Sequence, residues 1–314
     1  MVIAARAAAP IGDDVARPLA AAPVRARRRR LPSPGGALAA ALLVLLVGAA
    51  LVGPALLGAD PGKQALGARF TPPAGFGGDW TRPFGADQLG RDLLARCLAG
   101  LRLSLVTGVG AALVAATVGA TLGLVAGLRP GRVDAAVVFL LDVALAAPFI
   151  VVAIAVTVTL GGGWTALMLT LVATGWAGYA RILRLEARGL RSAAFVEAAR
   201  AAGASDARIL LRHLLPNVAG VLVVLVTQQA AAMMLYEAAL SYLGLGLGGD
   251  AITLGGMIAD GQDSLLRAWW VVTLPGAVLA AIVLAFTLGG DWLVTRSRPA
   301  AHRSVSTRPR RSRV

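Results

Sequence analysis

Few residues in this chain are equipped to do chemistry, and their spacing excludes most of it. The two histidines, His213 and His302, lie far apart and neither has a ligand-spaced partner; Cys97 is the single cysteine, so no thiolate cluster or disulfide framework is available. No Ser/His, paired Asp or His/Glu arrangement recurs at helical spacing. The only lysine, Lys63, is followed by Gln64 and lacks the glycine spacing of a GxxxxGK(S/T) phosphate loop. What remains is a set of polar groups inside long apolar runs: Asp142, Gln228, Gln229, Glu237 and Asp291. An ionisable group at membrane depth costs roughly 2.5–3.5 kcal/mol, so it must face protein or water, and it becomes a pathway candidate for that reason. Asp142 is the deepest. Glu237 and Asp291, near the ends of their runs, suit an interfacial charge as well. Asp142, Pro148 and Glu237 are the candidate pathway or gating residues.

The elements that carry these groups are membrane helices. Hydrophobic residues make up 57% of the 314, charged residues only 15%, and mean hydropathy is +0.75. The apolar residues fall in runs of about 20, the length needed to cross the hydrocarbon of a bilayer. Six such runs cover residues 36–58, 104–128, 135–160, 164–179, 218–240 and 269–293. An all-α polytopic membrane fold with six transmembrane helices follows. The first run, with about 35 residues ahead of it, exceeds signal-peptide proportions and reads as an uncleaved anchor. Of the 30 Lys and Arg, 23 fall in residues 1–36, 129–134, 181–216 and 294–314, which the positive-inside rule places in the cytoplasm with both termini.

The net charge of +14 resides largely outside the runs, with seven arginines in residues 1–36 and seven in 294–314. Attraction to anionic lipid headgroups explains this better than nucleic acid, which is excluded as a partner. Residues 1–35 read as a disordered basic cytoplasmic N-terminus, 36–58 as the first membrane helix, 59–99 as an extracytoplasmic segment and 294–314 as a basic cytoplasmic tail. Within the second run Gly119, Gly123 and Gly127 place a small residue on one helix face at every fourth position, a seam for close helix packing. Pro148 and Pro275 each permit a kink.

The segment 190–216 is the longest stretch between two runs on the cytoplasmic side. It reads as helix, turn, helix: alanine-rich to Ala202, Gly203 as a left-handed cap, Ser205 capping the next helix and Pro216 stopping it. A short exposed helix bearing Arg and Glu between two spans suits docking into a groove on a cytoplasmic partner.

Glu197-Ala198-Ala199, Gly203 and Leu215-Pro216 resemble the EAA loop of permease subunits of binding-protein-dependent ABC importers. Two further stretches are similar to motifs of the C-type permeases of the dipeptide, oligopeptide and nickel group. Pro83-Phe84-Gly85-Ala86-Asp87-Gln88-Leu89-Gly90-Arg91-Asp92 matches HPLGTDQLGRD with Arg82 in place of His, and Glu237-Ala238-Ala239-Leu240-Ser241-Tyr242-Leu243-Gly244-Leu245-Gly246 matches EAGLSFLGLG. Asp142 and Pro148 also fit the family pattern. Residues 247–250, Leu-Gly-Gly-Asp, replace a longer Pro-containing loop.

The resemblance implies a type I ABC importer transmembrane domain over 100–293. It assigns Glu197, Ala198, Ala199, Gly203, Leu215 and Pro216 to the loop that couples to the ATPase. It implies a B-type permease partner, one or two ABC ATPase subunits that bind the ATP and Mg, and an extracytoplasmic solute-binding protein; this chain itself would be no enzyme and hold no cofactor. Peptides are the expected cargo, with nickel or glutathione-type solutes as the alternative. A stand-alone secondary transporter is the rival from another class, with Asp142 near Pro148 as its only support and no role for the 190–216 segment.

Overall fold

A computed structural model describes residues 34–297, with side chains for 35–292. The readings of a disordered head and a basic tail fall on 1–33 and 298–314, outside the described residues. Ten α-helices, two short 3-10 helices and one π-helical turn are present among the described residues, and two isolated bridges are the only extended pairing there. The polytopic all-α architecture is therefore as the apolar runs require.

α1 (Pro34–Leu57) is apolar on every side and packs against α10 (Trp270–Ser297) and the start of α2 (Leu93–Leu128). With 36 residues α2 is about 54 Å long, well beyond the hydrocarbon thickness, so its first turns lie outside the apolar layer. The sequence places the start of this span at residue 104; the helix begins earlier because Asp92 caps it, its carboxylate accepting from the Ala95 N–H at 3.1 Å. α5 (Gly163–Leu190) likewise runs past the expected end at residue 179, carrying Arg181, Arg184 and Arg188 on helix rather than loop.

The third expected span is broken rather than kinked. α3 (Arg132–Ala146) and α4 (Phe149–Leu160) meet at 89°, with Ala147 and Pro148 both extended between them. Steric pressure from the proline ring drives the preceding residue out of the helical region, and Pro148 then stands just ahead of α4. Five helices are long and apolar enough to cross a membrane, and six if this bent pair is one span.

α2 is the centre of the bundle, and α5 is its main neighbour. The glycine seam explains the intimacy: a Cβ on Gly119 would overlap the Trp176 carbonyl, one on Gly123 the Ala180 carbonyl, and one on Gly127 would meet the Ala187 Cβ at 2.5 Å. Gly123→Val is expected to cost about 1–3 kcal/mol by overpacking, lowering the apparent melting midpoint in detergent. Gly110→Ala, on the same helix with open space around it, should not lower that midpoint and, by helix propensity, should raise it slightly. α8 (Leu215–Tyr242) fills the other flank of α2, and α9 (Leu254–Gly261) leans on the end of α8, where a Cβ on Gly255 would overlap the Ala238 carbonyl.

Candidate functional site

At one end of the bundle the polypeptide between α5 and α8 forms the expected helix-turn-helix. α6 (Ala194–Ala201) ends in a Schellman turn: the Gly203 N–H donates to the Arg200 carbonyl at 2.9 Å and the Ala204 N–H to the Ala199 carbonyl at 3.0 Å, with Gly203 at φ +79. Ser205 then caps α7 (Asp206–Ile209) through the Arg208 N–H. Three side chains fix this unit to the bundle. Val196, Ile209 and Leu214 are fully buried and join Leu124 and Leu128 of α2 with Leu183 and Ala187 of α5 in one cluster. Arg129, just past α2, adds an ion pair to Asp206 at 2.7 Å. The opposite face is open: Glu197, Ala198 and Gly203 are exposed, as are Phe195 and Leu211, and Ala199 is half-buried.

Pro216 does not stop the second helix. It sits in the first turn of α8, directly after a π-helical turn over Leu210–Leu214, so the helical run continues from Asp206 to Tyr242. A wide turn of this kind relieves the proline, which has no N–H to give and whose ring crowds the preceding turn. Leu215, half-buried, opens α8. The second helix of the loop and the span behind it are thus one continuous helical run.

Glu237 lies at the other end of α8. The side chain is fully buried inside the chain's own packing. Ser104 of α2 donates to its Oε2 at 2.7 Å, and Ser241, one turn on, donates to Oε1 at 2.9 Å. The carboxyl therefore ties α2 to α8. Asp291 is exposed and is reached by Nε2 of Gln228, also exposed, at 3.4 Å.

Asp142 is exposed on α3, while Val137 and Leu141 of the same helix turn inward against Ala126, Ala177 and Ala180. The flanking Phe139, Leu140 and Val143 are exposed with it. α3 is held to α5 elsewhere, by Arg184 gripping Asp134 with Nε at 2.5 Å and a second nitrogen at 2.8 Å. Pro148 precedes a stacked pair, Phe149 on Tyr236 of α8 at 4.5 Å between ring centroids.

A third polar assembly was not assigned any role from sequence. Asp87, nearly buried, accepts from the Leu89 and Arg91 N–H groups at 2.9 and 3.0 Å and from Arg91 Nε at 2.6 Å, with Arg96 Nε at 3.5 Å. Gly85 and Gly90, both with positive φ, carry the backbone so close to Thr71 and Ala65 that a Cβ would overlap their carbonyls. This folds the whole 83–92 motif into a knot over the start of α2, and Trp270 Nε1 fastens it to α10 through the Ala86 carbonyl at 3.2 Å. The signal available was Asp87 and Arg91 at a four-residue spacing; the part of Arg96 depends on where α2 begins. Asp87→Asn leaves two guanidinium groups without their anion and should cost about 3–5 kcal/mol, read as reduced yield and melting midpoint of the purified chain.

Membrane-length helices packed around α2, with one exposed helix-turn-helix fixed to them, define a polytopic membrane protein. The family described as binding-protein-dependent transport system inner membrane component matches residues 119–303. The chain is 36% identical over 260 residues to the di/tripeptide transport system permease protein DppC of Pseudomonas aeruginosa, covering 82% of this chain and 86% of that protein. It is 32% identical over 263 residues to the dipeptide transport system permease protein DppC of Bacillus subtilis, covering 83% and 81%. With the oligopeptide transport system permease protein OppC of Escherichia coli K12 it shares 39% identity over 210 residues, covering 67% and 70%. Among solved structures, a chain of the MetNI methionine ABC transporter in an inward facing conformation superposes with a TM-score of 0.52 at 22% identity, covering 65% of this chain and 95% of that one, which shows the shared fold. The chain belongs to the binding-protein-dependent transport system inner membrane component family. It is the permease component of an ABC importer, with ATP hydrolysis residing in separate subunits.

Proposed function

We propose that this permease forms one half of a translocation pathway for peptides, paired with a B-type permease, driven by one or two ABC ATPases and supplied by an extracytoplasmic solute-binding protein. The peptide cargo rests on the relatives, three of which are named as di/tripeptide, dipeptide or oligopeptide permeases. The end bearing Gly203 is cytoplasmic with both termini, in line with the Arg-rich segments.

One observation carries the coupling role. The 194–209 unit exposes Glu197, Ala198 and Phe195 outward while Val196 and Ile209 lock it to α2 and α5, and the helical run from Asp206 continues through the π turn into α8. An ATPase groove that moves this face moves the spans as well. ATP binds the partner subunits, their closure shifts the docked turn, and the cavity between the two permeases changes its access.

Asp142 belongs to the partner-facing or water-facing side of this pathway, since a carboxylate at membrane depth on an exposed face cannot rest against lipid without a cost of roughly 2.5–3.5 kcal/mol. Asp142→Leu is expected to lower uptake several-fold while leaving the melting midpoint of the isolated chain unchanged, because the side chain makes no ion pair within the described residues. The reading as a whole is tested by reconstituting the chain with its neighbouring permease and ATPases in proteoliposomes and measuring ATP-dependent accumulation of labelled tripeptide in the presence of the binding protein. Accumulation of a nickel chelate and no peptide would reject the cargo and keep the class.

A further inference from the structure

Residues 70–78 contain no charged side chain, yet they lie in a segment between two spans that is otherwise rich in Arg and Asp. They form a rigid turn. The Phe76 and Gly78 N–H groups both donate to the Pro73 carbonyl, at 3.0 and 3.3 Å, Ala74 bridges to Gly78, and Gly75 and Gly77 hold φ of +86 and +100. Phe76 stands at the tip, 67% exposed, and Trp80 follows at 83%.

Two contacts fix this turn beside the entry to α10. The Phe76 ring meets Trp269 edge-on with centroids 5.3 Å apart, and Arg267 lies over the Phe70 ring at 4.9 Å. Trp269 directly precedes α10, whose apolar stretch Trp270–Trp292 spans 23 residues and both begins and ends in tryptophan. At 1.5 Å per residue that is about 34 Å, which puts its two ends at the two membrane–water interfaces, where Trp concentrates. Trp269 is thus at interfacial depth, and Phe76 with it. Leu266, fully exposed, adds apolar surface at the same level.

We propose that the turn over residues 70–80 rests in the membrane interface beside α10, with Phe76, Trp80 and Leu266 at the boundary of headgroups and acyl chains. The occupant of this surface is lipid. The tip itself, Phe76 between Gly75 and Gly77, carries no charge, and the Phe76 and Gly78 N–H groups are already bonded within the turn, so it offers a soluble protein little polar contact, whereas lipid needs only the exposed rings; Asp79, exposed beside Trp80, is accommodated at headgroup level. The foot fixes the depth of the segment joining α1 to α2, and so of the knot around Asp87, independently of which solute is carried.

The test uses the full complex in nanodiscs of phosphatidylethanolamine and phosphatidylglycerol, with Trp80→Cys carrying an environment-sensitive fluorophore. Native Cys97 is buried, and unsubstituted protein sets the labelling background. Without any binding protein, a nitroxide near the lipid headgroup should quench the probe about twofold more than one at the acyl terminus, as an interfacial position requires. A probe at Asp250→Cys, on an exposed loop, should respond to neither lipid. Leu266→Cys provides the same reading if the Trp80 variant does not assemble. Equal lack of quenching by both lipids would overturn the proposal, and a fluorescence change seen only on adding the binding protein would replace lipid with that protein as the occupant.

Discussion

Gly203→Val and Gly203→Asp should each lower ATP-driven uptake about tenfold or more, whereas Gly203→Asn should retain most of it. Gly203 adopts φ +79, where an L residue pays about 1–2 kcal/mol, a factor of roughly 5–30 in the population of the turn. Asn is the residue that best tolerates this conformation after glycine. A Cβ at position 203 would meet nothing within 4 Å, so strain or a new charge on the turn is the whole effect inside this chain. The melting midpoint should consequently move little, because the anchors Val196, Ile209 and Leu214 are untouched. The pattern is checked by uptake in proteoliposomes beside co-purification of the ATPase. Uptake by the Val variant at the level of the unsubstituted chain would remove the turn from the coupling path.

The second large effect concerns Glu237. Glu237→Leu should destabilise the chain by about 1–3 kcal/mol, because the hydroxyls of Ser104 and Ser241 lose their acceptor in a buried setting. Glu237→Gln keeps an acceptor oxygen and should lose far less. Pairing Glu237→Leu with Ser104→Ala should recover much of the loss, since removing both partners is cheaper than orphaning one. Apparent unfolding midpoints of the four proteins form the cycle. Additive losses from the two substitutions would show that the α2–α8 tie contributes nothing as a pair.

These two positions also show what the sequence made legible. The cap at Gly203 is a local matter: an alanine-rich helix, a glycine and a following Ser205 dictate the turn from within about ten residues, and the turn has that form. The runs that became α1, α2, α5, α8 and α10 were legible for a similar reason, since membrane thickness alone demands them. Glu237 was not legible, because its partner Ser104 stands 133 residues away and no local pattern marks it. Pro148 misled in kind. A proline inside an apolar run permits either a kink or a break, and the 89° break arises because both Ala147 and Pro148 become extended, with Phe149 stacking on Tyr236 beyond them. Pro216 misled in the opposite direction, as the π turn ahead of it lets the helix continue. At Pro148 the break is accompanied by a contact to Tyr236 on another helix, and at Pro216 by a π turn, and neither is marked by a local sequence pattern.

The most direct test of the central claim is affinity purification of the tagged chain in mild detergent from its native host, with mass spectrometry of everything retained. A permease coupled through the exposed 194–209 unit should bring down a second permease and one or two ABC ATPases, and Gly203→Asp should lose the ATPases while keeping the second permease. Recovery of the chain alone, under conditions that preserve a known ABC complex, would contradict the account.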